Sequence, residues 1–168
     1  TFADGRPAQA YDQPPFTPWP DRDPDMAEAA DRLSQTLGIT RTQQDNWAIH
    51  SHEKALSALP YRGEIHPIER QERDPFARCL SPVLAARAKV VSGTITAANM
   101  AAIEAALTST GVRTSDITSA EIMEAFAVQA IACVEGAGLN PEYTNMGGGA
   151  LARGHPIGAS GTINAVRL

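Results

Sequence analysis

The stretch from Asn145 to Gly161, NMGGGALARGHPIGASG, constrains this chain more than any other. Three consecutive glycines accept backbone conformations closed to other residues, and they let the main chain come close to whatever lies against it. They also expose successive N–H groups. His155 stands between Gly154 and Pro156, uncrowded on one side and stiffened on the other. Gly158, Ala159, Ser160 and Gly161 then open a helix with very small residues. A helix start of this kind favours an anion or a developing negative oxygen nearby. A neutral histidine donating one N–H to a carbonyl oxygen fits an oxyanion hole. The plainer alternative is a glycine-rich turn with an incidental histidine. The combination of triple glycine, GHP and GASG counts against it.

Strand and helix patterns alternate through the second half, which predicts an α/β layer fold. Residues 1–25 hold half of the 12 prolines and read as extended or irregular, with Phe16 and Trp19 placed to pin them to a neighbour. Asp25 with Glu28 predicts a capping box, and Met26, Ala29, Ala30, Leu33 and Leu37 recur at helical spacing up to Gly38. Thr40 with Gln43 predicts a second box, opening a helix over 41–59 with Trp47, Ala48, Ser51, Ala55 and Ala58 on one face. A short edge strand is expected over 63–68, where Pro67 denies it a full ladder. Residues 69–89 read as loop and 90–96 as a strand. A helix over 101–107 closes near Gly111. Then follow a buried strand over 116–122 and an amphipathic helix over 124–135, ended by Gly136 or Gly138. Asn140–Pro141 starts a turn, and the last helix begins near Gly158.

Composition narrows the partners. A net charge of −5 argues against nucleic acid or an anionic membrane as the main partner, and 43% hydrophobic residues argue for a packed core. The 4 histidines and 2 cysteines are too scattered for a zinc signature. Cys79 and Cys133 are expected as reduced thiols. The apolar runs are too short to span a bilayer.

Four segments resemble the thiolase family. GGGALARGHPIGASG matches its GGG(A/I)-x-A-x-GHP-x-GASG signature almost residue for residue. Met123-Glu124-Ala125-Phe126, followed by Ala127, Gln129 and Ala130, is similar to the family's Asn-Glu-Ala-Phe segment at a strand-to-helix junction. Residues 38–55 resemble its GISR…QD…SH…A helical hairpin. Gly93 to Asn99, GTITAAN, looks like its GTVTA(A/G)N, near the pantetheine of coenzyme A. Together these cover most of residues 25–168 in family order.

The resemblance implies a thiolase-like layered α/β fold, present in part, with residues 1–92 as a helical loop-domain-like segment and 93–168 as a partial C-terminal domain. It implies an acyl-CoA acyltransferase that makes or breaks a carbon–carbon bond beside a thioester. Its alternative is a non-catalytic acyl-CoA- or lipid-binding relative. The implied substrate is a coenzyme A thioester, with no permanently bound cofactor and no metal. The implied assembly is a homodimer, a homotetramer or a complex with a partner subunit, in the cytoplasm.

Of the family's four chemical residues the chain supplies one, His155. The nucleophilic cysteine is expected upstream and the proton-moving Cys-x-Gly cysteine beyond Leu168. Met123 stands where the family has its water-holding asparagine, and a thioether cannot donate to a water. Cys133 reads as a structural thiol. Cys79 follows Arg78, which favours the thiolate, but has no base partner. The resemblance places Ala97, Met123, Ala125, Phe126, Gly147, Gly148 and Gly149 against the coenzyme A thioester. In the family two strands separate GTVTA(A/G)N from the helix before Asn-Glu-Ala-Phe. Here Met100 runs straight into that helix, so roughly forty residues are expected to be lacking there.

Overall fold

Asp25 starts the first helix as the sequence predicts. Its carboxylate accepts from the amides of Ala27 at 2.8 Å and Glu28 at 3.0 Å, two of the donors that a helix start leaves unpaired. Glu28 does not return the bond; it pairs with Arg32 at 3.4 Å one turn on. Helix α1, Met26–Leu37, ends at Gly38 with φ 68°, and the Ile39 amide reaches back to Ser34 O at 2.9 Å. That closure needs a left-handed residue, which glycine supplies without strain. Thr40 and Gln43 form the reciprocal capping box of α2, Arg41–Ser57. The computed structural model describes residues 19, 25–58, 67–69, 74–88 and 98–168. The strand expected over 90–96, and all but residues 67 and 68 of the one expected over 63–68, lie outside these.

Inside the expected loop 69–89 is a one-turn helix, α3, Pro82–Ala85, capped by Ser81. Arg41 of α2 donates to its last carbonyl, Ala85 O at 2.9 Å, and to Ala88 O in the turn beyond at 3.2 Å. The turn is capped locally by Ser81 at its start and met at its end by the distant Arg41. Helix α4, Ala98–Thr110, ends at Gly111 with φ 71°.

The strand expected over 116–122 does not form as one. Thr114–Asp116 is a 3₁₀ turn, and beyond it the chain runs extended with a single parallel bridge, Ala120 to Thr144. Ala120 N donates to Tyr143 O at 2.9 Å and Asn145 N to Ala120 O at 2.8 Å. The side chain of Asn145 then takes over from the backbone: Ile122 N donates to its Oδ1 at 2.7 Å, and its Nδ2 donates to Ile122 O at 2.9 Å. Pairing stops there because Asn145 turns left-handed, φ 49°, a region asparagine tolerates.

Helix α5, Ala127–Gly136, is the centre of the molecule. It starts three residues later than expected, and it is not amphipathic: every residue from Val128 to Val134 is buried. Helices α1, α2 and α4 all pack on it, so no face is left for water. Val128, Ile131 and Ala132 form one apolar cluster with Ala30 and Ile39, with Leu33, Trp47 and Phe126 against it. Each large member contributes about 1.5–3 kcal/mol by leaving water. Gly138, φ 65°, ends this segment, and Asn140 caps the 3₁₀ turn Pro141–Tyr143. Two further helices complete the chain: α6, Ala150–Arg153, and α7, Ser160–Arg167.

Candidate functional site

The glycine loop is built around one carboxylate. Glu124 is 2% exposed, and four donors meet its two oxygens. Trp47 Nε1 and Asn145 Nδ2 donate to Oε1 at 3.1 and 2.9 Å; Ser51 Oγ and Leu151 N donate to Oε2 at 2.7 and 3.1 Å. Ser51 Oγ in turn accepts from Gly149 N at 2.9 Å. Buried polar groups are tolerable when all are bonded, and here one acid ties α2, the Asn145 turn and α6 together.

The room that the glycines leave is taken by the protein itself. A Cβ at Gly149 would lie 2.0 Å from Glu124 Cδ. A Cβ at Gly148, φ 76°, would lie 2.5 Å from Ser51 O. Gly147 is buried beside them. The close approach read from the triple glycine is therefore met by α2 and Glu124. Arg153 donates to Gly148 O, and it lies with Arg167 at the buried Glu121 carboxylate, at 3.9 and 3.5 Å. This cluster sets α6 and α7 against the segment that leads to Met123.

His155 leaves α6 through Gly154, φ 98°, and its Nδ1 lies 2.8 Å from Ser160 Oγ. The ring is exposed, whereas Ser160 is buried. Gly154, Pro156 and Ser160 line a pocket of about 120 Å³ together with Met123, Ala150 and Asn164. A pocket of this size admits a few heavy atoms, well short of the 300–1,000 Å³ typical of whole-ligand sites. Met123 and the surroundings of His155 thus meet at one small cavity. Ala125 lies outside it, its N–H donating to Gln129 Oε1 at 3.2 Å, and Phe126 packs on the core. Ala97 lies outside the described residues.

Neither cysteine sits in this cavity. Cys133 is buried, and burial pushes its thiol above the usual range, against a pull from the Gln129 amide 3.7 Å away. Cys79 is exposed. Glu124, Ser51, Asn145 and Ser160 are not marked as site residues by the sequence pattern. Each falls within a segment that the sequence singles out, and the signal was polarity: Ser51 lies on a helix face otherwise read as apolar.

Against known families, the thiolase C-terminal domain matches residues 75–168 and the thiolase N-terminal domain residues 21–120. The chain belongs to the thiolase family. The YhfS protein of Bacillus subtilis is 31% identical over 209 residues, covering 91% of this chain and 57% of that protein. The acetyl-CoA acetyltransferase of Escherichia coli is 28% identical over 205 residues, covering 85% and 52%. Both alignments are longer than the 168-residue chain, so these thiolases carry internal stretches with no counterpart here. This thiolase chain spans about half the length of such relatives.

Among solved structures, an Ascaris suum thiolase in complex with coenzyme A superposes with a TM-score of 0.73 at 25% identity, over 85% of this chain and 52% of that one. The dimeric peroxisomal thiolase of Saccharomyces cerevisiae gives 0.71 at 23% identity, over 84% and 51%. The fold is a partial thiolase-like α/β fold, seen in the described residues through its helices and one bridge.

Proposed function

We propose that this chain carries part of the site of a thiolase-type acyl-CoA acyltransferase, which forms or thiolytically cleaves the carbon–carbon bond of a 3-ketoacyl-CoA. The observation that carries the reading is the intact loop from Gly147 to Gly161, held by Glu124, with the neighbours of His155 (Gly154, Pro156 and its partner Ser160) lining a small cavity. A carbanion beside a thioester survives only when donors already in place meet the charge on its oxygen. His155 is the donor. The substrate is a coenzyme A thioester, with no resident cofactor; of the residues that the resemblance sets against it, Met123 lines the cavity, while Gly148 and Gly149 shape the loop by packing on α2 and Glu124. The names of the relatives, acetyl-CoA acetyltransferase and 3-ketoacyl-CoA thiolase, support this substrate class.

The protein works in the cytoplasm as a homodimer or homotetramer, or beside a partner subunit. The exposed Ile157, Val166 and Leu168 support a covered face at α7. Among the described residues no helix is long and apolar enough to cross a membrane.

The test is thiolysis of acetoacetyl-CoA, with binding of the same thioester followed by calorimetry. His155→Ala is expected to lower turnover about 10²–10³-fold with binding retained. Unchanged turnover would remove His155 from the reaction. Met123 favours a second reading, a non-catalytic acyl-CoA- or lipid-binding relative, because a thioether holds no water for the oxyanion. Binding without thiolysis, in a protein that carries both expected cysteines, selects that reading.

A further inference from the structure

Three donors converge on one carbonyl at the start of α7. Pro156 O accepts from Ala159 N at 2.8 Å, from Ser160 N at 2.9 Å and from Ser160 Oγ at 3.0 Å. A carbonyl oxygen has two lone pairs, and the two amides already fill them. The Ser160 hydroxyl has one proton and a second acceptor within reach, His155 Nδ1 at 2.8 Å. Ser160 is 3% exposed, so water does not compete for that proton. Among the described residues, Nδ1 has no other hydrogen-bond partner and Nε2 has none.

We propose that Ser160 is the positioning residue for His155: its hydroxyl proton goes to Nδ1 and so fixes the ring in the tautomer that carries hydrogen on Nε2. The proposal rests on the acyltransfer reading for its purpose, because only a protonated Nε2 can donate to a thioester oxygen from a neutral ring. The geometry behind it stands without that reading. With the opposite tautomer, Ser160 would give a third bond to a saturated carbonyl, and Nε2 would present a lone pair to a developing negative charge.

The experiment is ¹⁵N–¹H correlation of the side chains of the full chain labelled in histidine, at alkaline pH. The chain has 4 histidines, and His155→Asn identifies the signal of interest. In the wild type, Nδ1 is expected to be unprotonated and Nε2 protonated. Ser160→Ala shifts the tautomer ratio toward Nδ1–H about fivefold, the worth of one net hydrogen bond. Ser160→Thr, which keeps the hydroxyl, restores it. A wild-type ring protonated on Nδ1, or a ratio unmoved in a folded Ser160→Ala chain, overturns the proposal. If Ser160→Ala does not fold, the wild-type spectrum decides alone. In a protein that carries both expected cysteines, the expected tautomer with no thiolysis counts against the acyltransfer reading only; the opposite tautomer with intact thiolysis counts against this proposal only.

Discussion

Glu124 and Gly149 claim the same space: the carboxyl carbon of one lies 2.0 Å from where a Cβ on the other would stand. Glycine at 149 is therefore a requirement of the buried acid 25 positions earlier, whatever ligand the loop meets. Gly149→Ala is expected to destabilise the fold by about 1–3 kcal/mol, because the obstructing group is itself held by four bonds. The urea midpoint measures it. Gly148→Ala should cost more, since there the obstacle is the backbone of Ser51 and φ is 76°.

Removing the acid tests the same joint from its other side. Glu124→Ala leaves Ser51, Trp47, Asn145 and the Leu151 amide without their acceptor, and is expected to cost about 3 kcal/mol or more. Trp47 fluorescence, followed through urea unfolding, reports it directly. A loss below about 1 kcal/mol would mean that water replaces the carboxylate without strain.

His52 gives the fold a pH dependence. It is buried on α2, and its Nδ1 accepts from the Arg78 amide at 3.3 Å. Burial, with the Arg78 charge behind it, lowers its pKa from 6.5, against a weaker opposing pull from Glu124. The unfolded chain then binds more protons than the folded one just below that value. Stability from this group is complete above pH 6.5 and drains away as the pH falls below it. His52→Gln should flatten that part of the curve of urea midpoint against pH.

The two thiols should react on different clocks. Cys79 is exposed and Cys133 buried, with its thiolate disfavoured. A thiol reagent is expected to titrate one cysteine in the native chain and the second only on unfolding. Two fast thiols in a native sample would contradict the burial of α5.

Much of the architecture is local and could be read in advance. Asp25, Gly38, Thr40 and Gln43 mark the ends of α1 and α2 because caps act over three or four residues. The loop with His155 stood out for the same reason, as a dense local pattern. Local pattern failed where distant groups decide. Val128 to Val134 looked two-faced, yet packing from three sides buries them all. Residues 116–122 looked like a strand, yet they pair through one bridge and an asparagine side chain. Only the folded chain shows that the triple glycine makes room for Glu124 and α2, and that Ser160 faces His155.

The sequence by itself determined the family, the helix ends and the histidine on which the proposed chemistry rests, because each is written in a short run of neighbouring residues. The tertiary structure alone decided what fills the space beside Gly148 and Gly149, and which atom receives the Ser160 proton. Those outcomes depend on side chains brought together from far along the chain, such as Ser51, Glu124 and Gly149, and on counting the donors and acceptors that meet there.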